Sequence, residues 1–341
     1  MSDTGKKIIL LTVAAVFSLG AVEIVLRVMG YGVITPEMNF GINTQQALDQ
    51  GRFQADPDLF WKLPVHPRDV DYRAVQPDVP VSPKGAKRRI LVMGDSCSRL
   101  STAIPPYSVL LEDSLRAYGV EVFNAAVPGY TTWQGRVWLK KQLLAMEPDL
   151  VVVYFGWNDH WRATGITDRD YAQRLKGSTL RLALLFRKMP EPPPLRVPVD
   201  AYRENLLAIV EELEAAGAKV TLVTAPSNLT QEARTRILQT RYLVRGDDAG
   251  AMHQAYLKTV HEVSESTNAS LLDASAAFAA ARAPQRLMMR DGIHLTDKGH
   301  RLMTTLLAAH LAPDLSGEGS RPDVSAQAQR AHQFMQTDGV R

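Results

Sequence analysis

From residue 86 onward, short apolar runs alternate with segments whose apolar residues recur every three or four positions. "RRILVMG" (88–94), "VEVFNAAV" (120–127), "DLVVVYFG" (149–156), "AKVTLVTA" (218–225) and "ASLLDA" (269–274) predict five strands. The third is the most β-branched run in the chain, the composition of a strand buried on both faces. Between the strands, the spacing predicts helices over 106–117 and 132–146. Two more run through Tyr202, Leu206, Ile209, Val210 and Leu213, and through Met252, Tyr256, Val260 and Val263. A last helix over 297–311 opens with Thr296 as its N-cap. Strand alternating with helix predicts an α/β domain built on one five-stranded parallel sheet covered on both faces. Right-handed crossovers then line the strand C-termini along one edge, where ligands bind in such folds.

The chain before residue 86 has another texture. Lys6 and Lys7 precede a long apolar run whose first interruptions are Glu23 and Arg27. Residues 8–28 are expected to cross a bilayer, with 1–7 cytoplasmic and the two late charges at the far interface, where charge costs least. A cleaved signal peptide is the rival, because 8–17 makes an apolar core and Ser18 and Gly20 loosely satisfy a small-residue cleavage rule. Either way the rest of the chain is exported, periplasmic or extracellular, and secreted if the N-terminus is removed. Residues 30–84 hold seven of the 20 prolines, a density that blocks helix and central strand. Residues 29–85 therefore read as a stalk that wraps the following domain through apolar anchors, with "DLFWKLP" (58–64) the foremost. The domain itself is expected over 86–312. Within its 157–199 insertion, "STLRLALLFRK" (178–188) suits either a covering helix or a membrane-facing flap. Residues 313–341, polar and without apolar periodicity, read as a disordered tail.

Charge and cysteine usage narrow the partners. With 39 basic and 36 acidic residues interspersed and a net charge of +3, the chain is a poor nucleic-acid binder. The single cysteine, Cys97, allows no intramolecular disulfide.

Candidate chemistry collects at the predicted strand ends. Gly94-Asp95-Ser96 follows the first strand and Gly129 the second. Gly156, Asn158 and Asp159 follow the third, and Asp291 stands three residues before His294 ahead of the last helix. Together these four blocks resemble the SGNH hydrolases, also called GDSL esterases, over residues 86–312. The resemblance implies a flavodoxin-like three-layer α/β/α sandwich that cleaves acyl esters, often acetyl, on carbohydrates or lipids, without a metal or other cofactor.

The residue types suit that chemistry. A serine hydroxyl is a weak nucleophile until a base takes its proton. Of eight histidines, His294 is the one in a loop at the strand-end edge with a carboxylate at fixed spacing, and Asp291 can hold its other nitrogen. The resemblance assigns the oxyanion donors to the backbone amides of Ser96 and Gly129 and the side-chain amide of Asn158. A glycine at 129 lets backbone approach substrate without a Cβ in the way.

Asp95, Arg99, Asp159 and His160 stand close enough in sequence to be substrate contacts, and each has a plainer role. Asp95 can fix the turn, Arg99 can be solvated, Asp159 can orient or cap the loop after the third strand, and His160 can pack. Asp297-x-x-His300 repeats the catalytic spacing, but Asp297 suits a helix start and His300 lies one turn in. Cys97 beside the serine reads as a small buried side chain. The first block departs from the family pattern in Cys97-Ser98-Arg99-Leu100, which leaves the shape of the nucleophile loop open.

The reading is a serine esterase acting through an acyl-enzyme on acyl, foremost acetyl, esters of an envelope or extracellular glycan. Alternatives are an O-acyltransferase with the same triad, a lysophospholipase or thioesterase, and a non-catalytic binding or assembly module.

Overall fold

The structure is a computed structural model that describes residues 2–32, 50–65, 73–162, 165–177, 179–186, 191–240, 242–281, 283–317, 329–330 and 333. It opens with an apolar helix, α1 (Asp3–Val28), and a small antiparallel hairpin of β1 (Gln54–Asp56) and β2 (Phe60–Lys62). Then come β3 (Arg88–Gly94), α2 (Ser96–Arg99), α3 (Tyr107–Ser114), β4 (Val120–Ala126), α4 (Thr132–Lys141) and β5 (Leu150–Tyr154). The insertion carries α5 (Asp168–Leu175) and α6 (Arg181–Leu185), followed by α7 (Val199–Ala215) and β6 (Lys219–Val223). The chain continues through α8 (Gln231–Gln239), α9 (Ala249–Ser266), β7 (Ser270–Leu272), α10 (Ala274–Ala280) and α11 (Asp297–Ser316).

Strands β3 to β7 form one parallel sheet in the order β4-β3-β5-β6-β7. This is the flavodoxin-like doubly wound order, with the chain reversing direction across the sheet between β3 and β5. The expected five strands and the three-layer architecture are present. Residue alternation along β3 explains both covered faces. Ile90 and Val92 pack with Leu111 of α3 and Leu302 and Leu306 of α11, whereas Leu91 and Met93 pack with Leu139 of α4 and Leu206 and Ile209 of α7.

The helix expected over 132–146 divides into α4 and a 3-10 turn over Leu143–Met146. The last helix continues to Ser316, so 313–316 belong to the domain and not to the expected tail. Apart from 317, 329–330 and 333, that tail lies outside the described residues, as do 33–49 and 66–72 of the expected stalk.

Two parts of the stalk that the structure describes are docked. Leu59, Phe60 and Trp61 are buried, and Phe60 stacks on Trp133 with ring centroids 5.2 Å apart. Farther on, Ala74 pairs with Asn124 of the edge strand β4. The Val75 amide donates to Asn124 O (2.8 Å), and the Asn124 amide donates to Arg73 O (3.0 Å). Helix α1 is long and apolar enough to cross a membrane, and none of its residues is buried.

Candidate active site

Ser96 begins immediately beyond β3, at the sheet's reversal point. The β3 strand ends on Gly94, where a Cβ would lie 2.8 Å from Tyr154 O of β5 and closer still to Ser98 Oγ; glycine is what lets the strand turn away here. Asp95 caps the short α2 helix by accepting from the Cys97 amide (2.9 Å). Ser96 is partly exposed and presents Oγ to His294 Nε2 at 2.8 Å. On the other side of the ring, His294 Nδ1 meets Asp291 Oδ2 at 2.7 Å. The second oxygen, Asp291 Oδ1, accepts from the amides of Ile293 (2.9 Å) and His294 (3.0 Å). Partial burial works to raise the Asp291 carboxyl. The bond and charge of His294, with the two amides, outweigh it and hold the group below the usual carboxylate range. A serine and a histidine 198 positions apart in sequence thus meet in line with a carboxylate that stays ionised.

Gly129 lies in the loop between β4 and α4 with φ of +84°, a conformation open to glycine. Among the described residues, neither the Gly129 nor the Ser96 amide N–H has a protein acceptor, so both are free to donate. Asn158 Nδ2 donates to Asp95 Oδ2 (2.9 Å) and Tyr130 O (3.1 Å). Its two hydrogens are therefore both engaged, and a third acceptor is reached only by sharing one of them.

The loop carrying Gly129 is braced from two directions that the sequence reading did not identify. Arg196 donates from Nη1 to Gly129 O (2.7 Å), while Nε and Nη2 reach the two oxygens of buried Asp168 at 3.1 and 2.9 Å. From the hairpin, Trp61 Nε1 donates to Pro128 O (3.0 Å), and Tyr130 Oη donates back to Trp61 O (2.6 Å). The guanidinium of Arg196 also stands over the Trp61 ring, 5.6 Å from its centroid. The anchor sequence "DLFWKLP" gave a signal for Trp61. Arg196, in a proline-rich connection, gave none.

Several expected contacts lie behind the site instead of in it. Asp159 is fully buried, with Oδ1 accepting from the Thr132 amide (2.9 Å) and Thr132 Oγ1 (2.5 Å). Burial pushes its carboxyl up to about 7 despite those bonds. His160 is also fully buried, 3.3 Å from His253 Nδ1 and edge-on to Trp157, and burial keeps it neutral by lowering its pKa well below the ordinary value. These two are corrected from substrate contacts to wall supports, because their side chains face the core. Asp95 is likewise buried and acts as a cap and a partner of Asn158; burial foremost raises its pKa. Arg99 is partly buried at the end of α2.

The decoys resolve structurally. His300 is buried, receives the Tyr107 amide at Nδ1 (3.3 Å) and meets Leu100 O at Nε2 (2.9 Å). Asp297 accepts instead from Thr102 Oγ1 (2.7 Å) and the Ala103 amide (3.3 Å). Cys97 is buried, and desolvation, then Asp95, raises its thiol well above the usual value, the reverse of an activated thiolate.

Comparison with solved structures gives a lipase/acylhydrolase from Enterococcus faecalis at 24% identity, covering 70% of this chain and 100% of that one, with a TM-score of 0.47. An acetylxylan esterase from Geobacillus stearothermophilus, solved as a catalytic mutant, is 20% identical, with 66% and 94% coverage and a TM-score of 0.44. A psychrotrophic esterase from Pseudoalteromonas sp. is 20% identical, with 67% and 100% coverage and a TM-score of 0.43. No curated protein matches the chain. The model of the GDSL-like lipase/acylhydrolase family matches residues 92–302, from the strand that delivers Ser96 to the helix that follows His294. The chain belongs to that family and is a carboxylic ester hydrolase.

Proposed function

We propose that the protein is an exported serine esterase that removes acyl groups, foremost acetyl, from an envelope or extracellular glycan through an acyl-enzyme. The observation that carries this is the 2.8 Å approach of His294 Nε2 to Ser96 Oγ, with Asp291 on Nδ1. In the reaction, His294 takes the Ser96 proton as Oγ attacks the ester carbonyl, and Asp291 stabilises the imidazolium that forms. The oxyanion is met by the amides of Ser96 and Gly129, with Asn158 adding a shared hydrogen. Collapse breaks the ester C–O bond, and the imidazolium returns its proton to the departing alcohol. Water, deprotonated by the same histidine, then attacks the acyl-serine and releases the acid.

The exposure of the triad supports a small acyl group on a large polar alcohol. The side chains of His294 and Asp291 are 23% and 36% exposed, so the reacting ester lies at an open edge and not at the end of an enclosed apolar channel. The apolar α1 helix supports export of the domain that follows it, and its retention would make the enzyme a membrane-anchored one.

A serine-directed organophosphonate tests the mechanism without knowledge of the substrate. Mass mapping should find the adduct on Ser96, and Ser96→Ala should abolish both labelling and turnover of a small acetyl ester. An adduct elsewhere, or undiminished turnover, would remove Ser96 from its role. Acetate release from acetylated glycans tests the substrate class; turnover that requires an added acceptor alcohol would replace hydrolysis with acyl transfer.

A further inference from the structure

The run from Ile8 to Val28 carries two charges, Glu23 and Arg27, and the structure gives both a use. They bond to each other at 2.7 Å. Glu23 also accepts from two backbone amides of the insertion, Arg181 N at Oε1 (3.0 Å) and Leu182 N at Oε2 (2.7 Å). Arg27 donates from Nη1 to Gly177 O (3.2 Å) and from Nη2 to Thr179 O (3.3 Å), and Arg181 Nη1 returns a bond to Gly32 O (2.5 Å). Within 8–28, Glu23 and Leu26 are the residues partly covered, so one narrow strip of α1 is docked and the rest is bare.

The docked segment is itself unusual. Leu185 of the five-residue helix α6 and its two flanking residues, Leu180 and Phe186, are 46%, 61% and 81% exposed, beside an α1 end where Val28 and Met29 are bare as well. Scattered exposed leucines need no explanation, but a contiguous patch joined to an apolar helix does. We infer that residues 180–186 lie at the outer boundary between headgroups and acyl chains of the bilayer that α1 crosses, pinned there by Glu23 and Arg27.

Length and chemistry agree. At the helical rise, 8–28 covers about 31 Å, the thickness of a bilayer's hydrocarbon core, and Glu23 falls in its last third. Charges at that depth are tolerated when paired and bonded, which the carbonyls of Gly177 and Thr179 and the amides of Arg181 and Leu182 provide. An apolar face of a short helix at that level enters the boundary of headgroup and acyl chain. The segment also leads back to the active site, since α5 ends at Leu175 and carries Asp168, the partner of Arg196 that holds the Gly129 carbonyl.

This inference rests on the reading that α1 stays attached, and the experiment separates the two. The full chain is reconstituted in phosphatidylcholine–phosphatidylglycerol vesicles containing a lipid with a nitroxide high on its acyl chain. An environment-sensitive fluorophore is placed at Phe186→Cys, or at Leu238→Cys as a surface control on α8, in a Cys97→Ala background, and intact mass is recorded. Quenching at 186 at least twofold stronger than at 238, falling in Glu23→Ala while the intact mass still includes residues 1–28, is expected. Equal quenching with residues 1–28 present would overturn the inference and leave the anchor reading standing. Loss of those residues from the mature mass would defeat both. A label at 186 shielded from lipid and water alike, with cross-links between copies, would make the patch a subunit contact and also overturn it. Unchanged quenching in Glu23→Ala would overturn the pinning role.

Discussion

A Cβ built on Gly129 would come within 2.8 Å of Cζ2 of Trp61. The hairpin that precedes the domain therefore forms the back wall of the loop proposed to hold the oxyanion, and Trp61 holds that loop by the bond to Pro128 O. Trp61→Phe keeps an aromatic wall and loses the bond. We expect kcat on a small ester to fall about tenfold with KM nearly unchanged, because the loop loosens without altering ground-state binding. Equal effects on kcat and KM, or none, would assign Trp61 to packing alone. Gly129→Ala adds the clash to an unfavourable positive φ and should cost about a hundredfold in kcat.

His294 and His300 stand six residues apart, and their substitutions should separate activity from stability. His294→Ala should lower kcat about a thousandfold or more while leaving the melting temperature close to the parent's. His300→Ala leaves the Tyr107 amide and Leu100 carbonyl without their partner, a loss of about 1–3 kcal/mol in unfolding free energy, with activity per folded molecule preserved. Chemical denaturation and single-turnover assays on both variants check this.

Cys97, one residue from the proposed nucleophile, should prove chemically silent. Its thiol is buried and its pKa raised, so iodoacetamide at neutral pH should leave activity intact in the folded enzyme. Cys97→Ala should retain turnover within about threefold, because only a small buried side chain and its weak bond from Sγ to Ile293 O (3.6 Å) are removed. Rapid alkylation with parallel loss of activity would show an accessible thiolate.

Asp159 links stability to pH. Burial raises its folded pKa from the usual 3.8 to about 7, so the native state keeps a proton that the unfolded chain gives up. The contribution is fully present below the unfolded value, and it is lost as pH rises through the interval from about 4 to 7. Asp159→Asn retains an acceptor for both Thr132 bonds and carries no proton to lose. The variant's melting temperature should exceed the parent's at pH 8 and converge on it at pH 4. A gap that is widest at acid pH would refute this.

The sheet was legible because β3 and β5 are buried on both faces, which writes unbroken β-branched and aliphatic runs into the sequence. The blocks holding Ser96, Gly129 and Asn158 were legible because each follows the end of a strand, and that of His294 because Asp291 stands three residues before it in the loop ahead of the last helix. Orientation within those blocks was not. Asp159 and His160 directly follow Asn158, yet the loop turns both toward the core, and linear adjacency carries no information about that. The hairpin was legible as an anchor and not as strands, because three residues per strand leave no period to read. Arg196 and the docking of α1 on α6 depend on side chains meeting backbone carbonyls and amides more than 60 positions away, which no local pattern encodes.

The pairing of Ala74 with Asn124 bears on how the protein behaves in a crowd. Strand β4 is the rim of the sheet, and a rim offers rows of amide and carbonyl groups on which another chain can add itself. At Asn124 both groups are already taken by Arg73 and Val75 of the same polypeptide. Removing that stretch would uncover an adhesive border, so shortened versions of the chain should aggregate even where the catalytic machinery is complete.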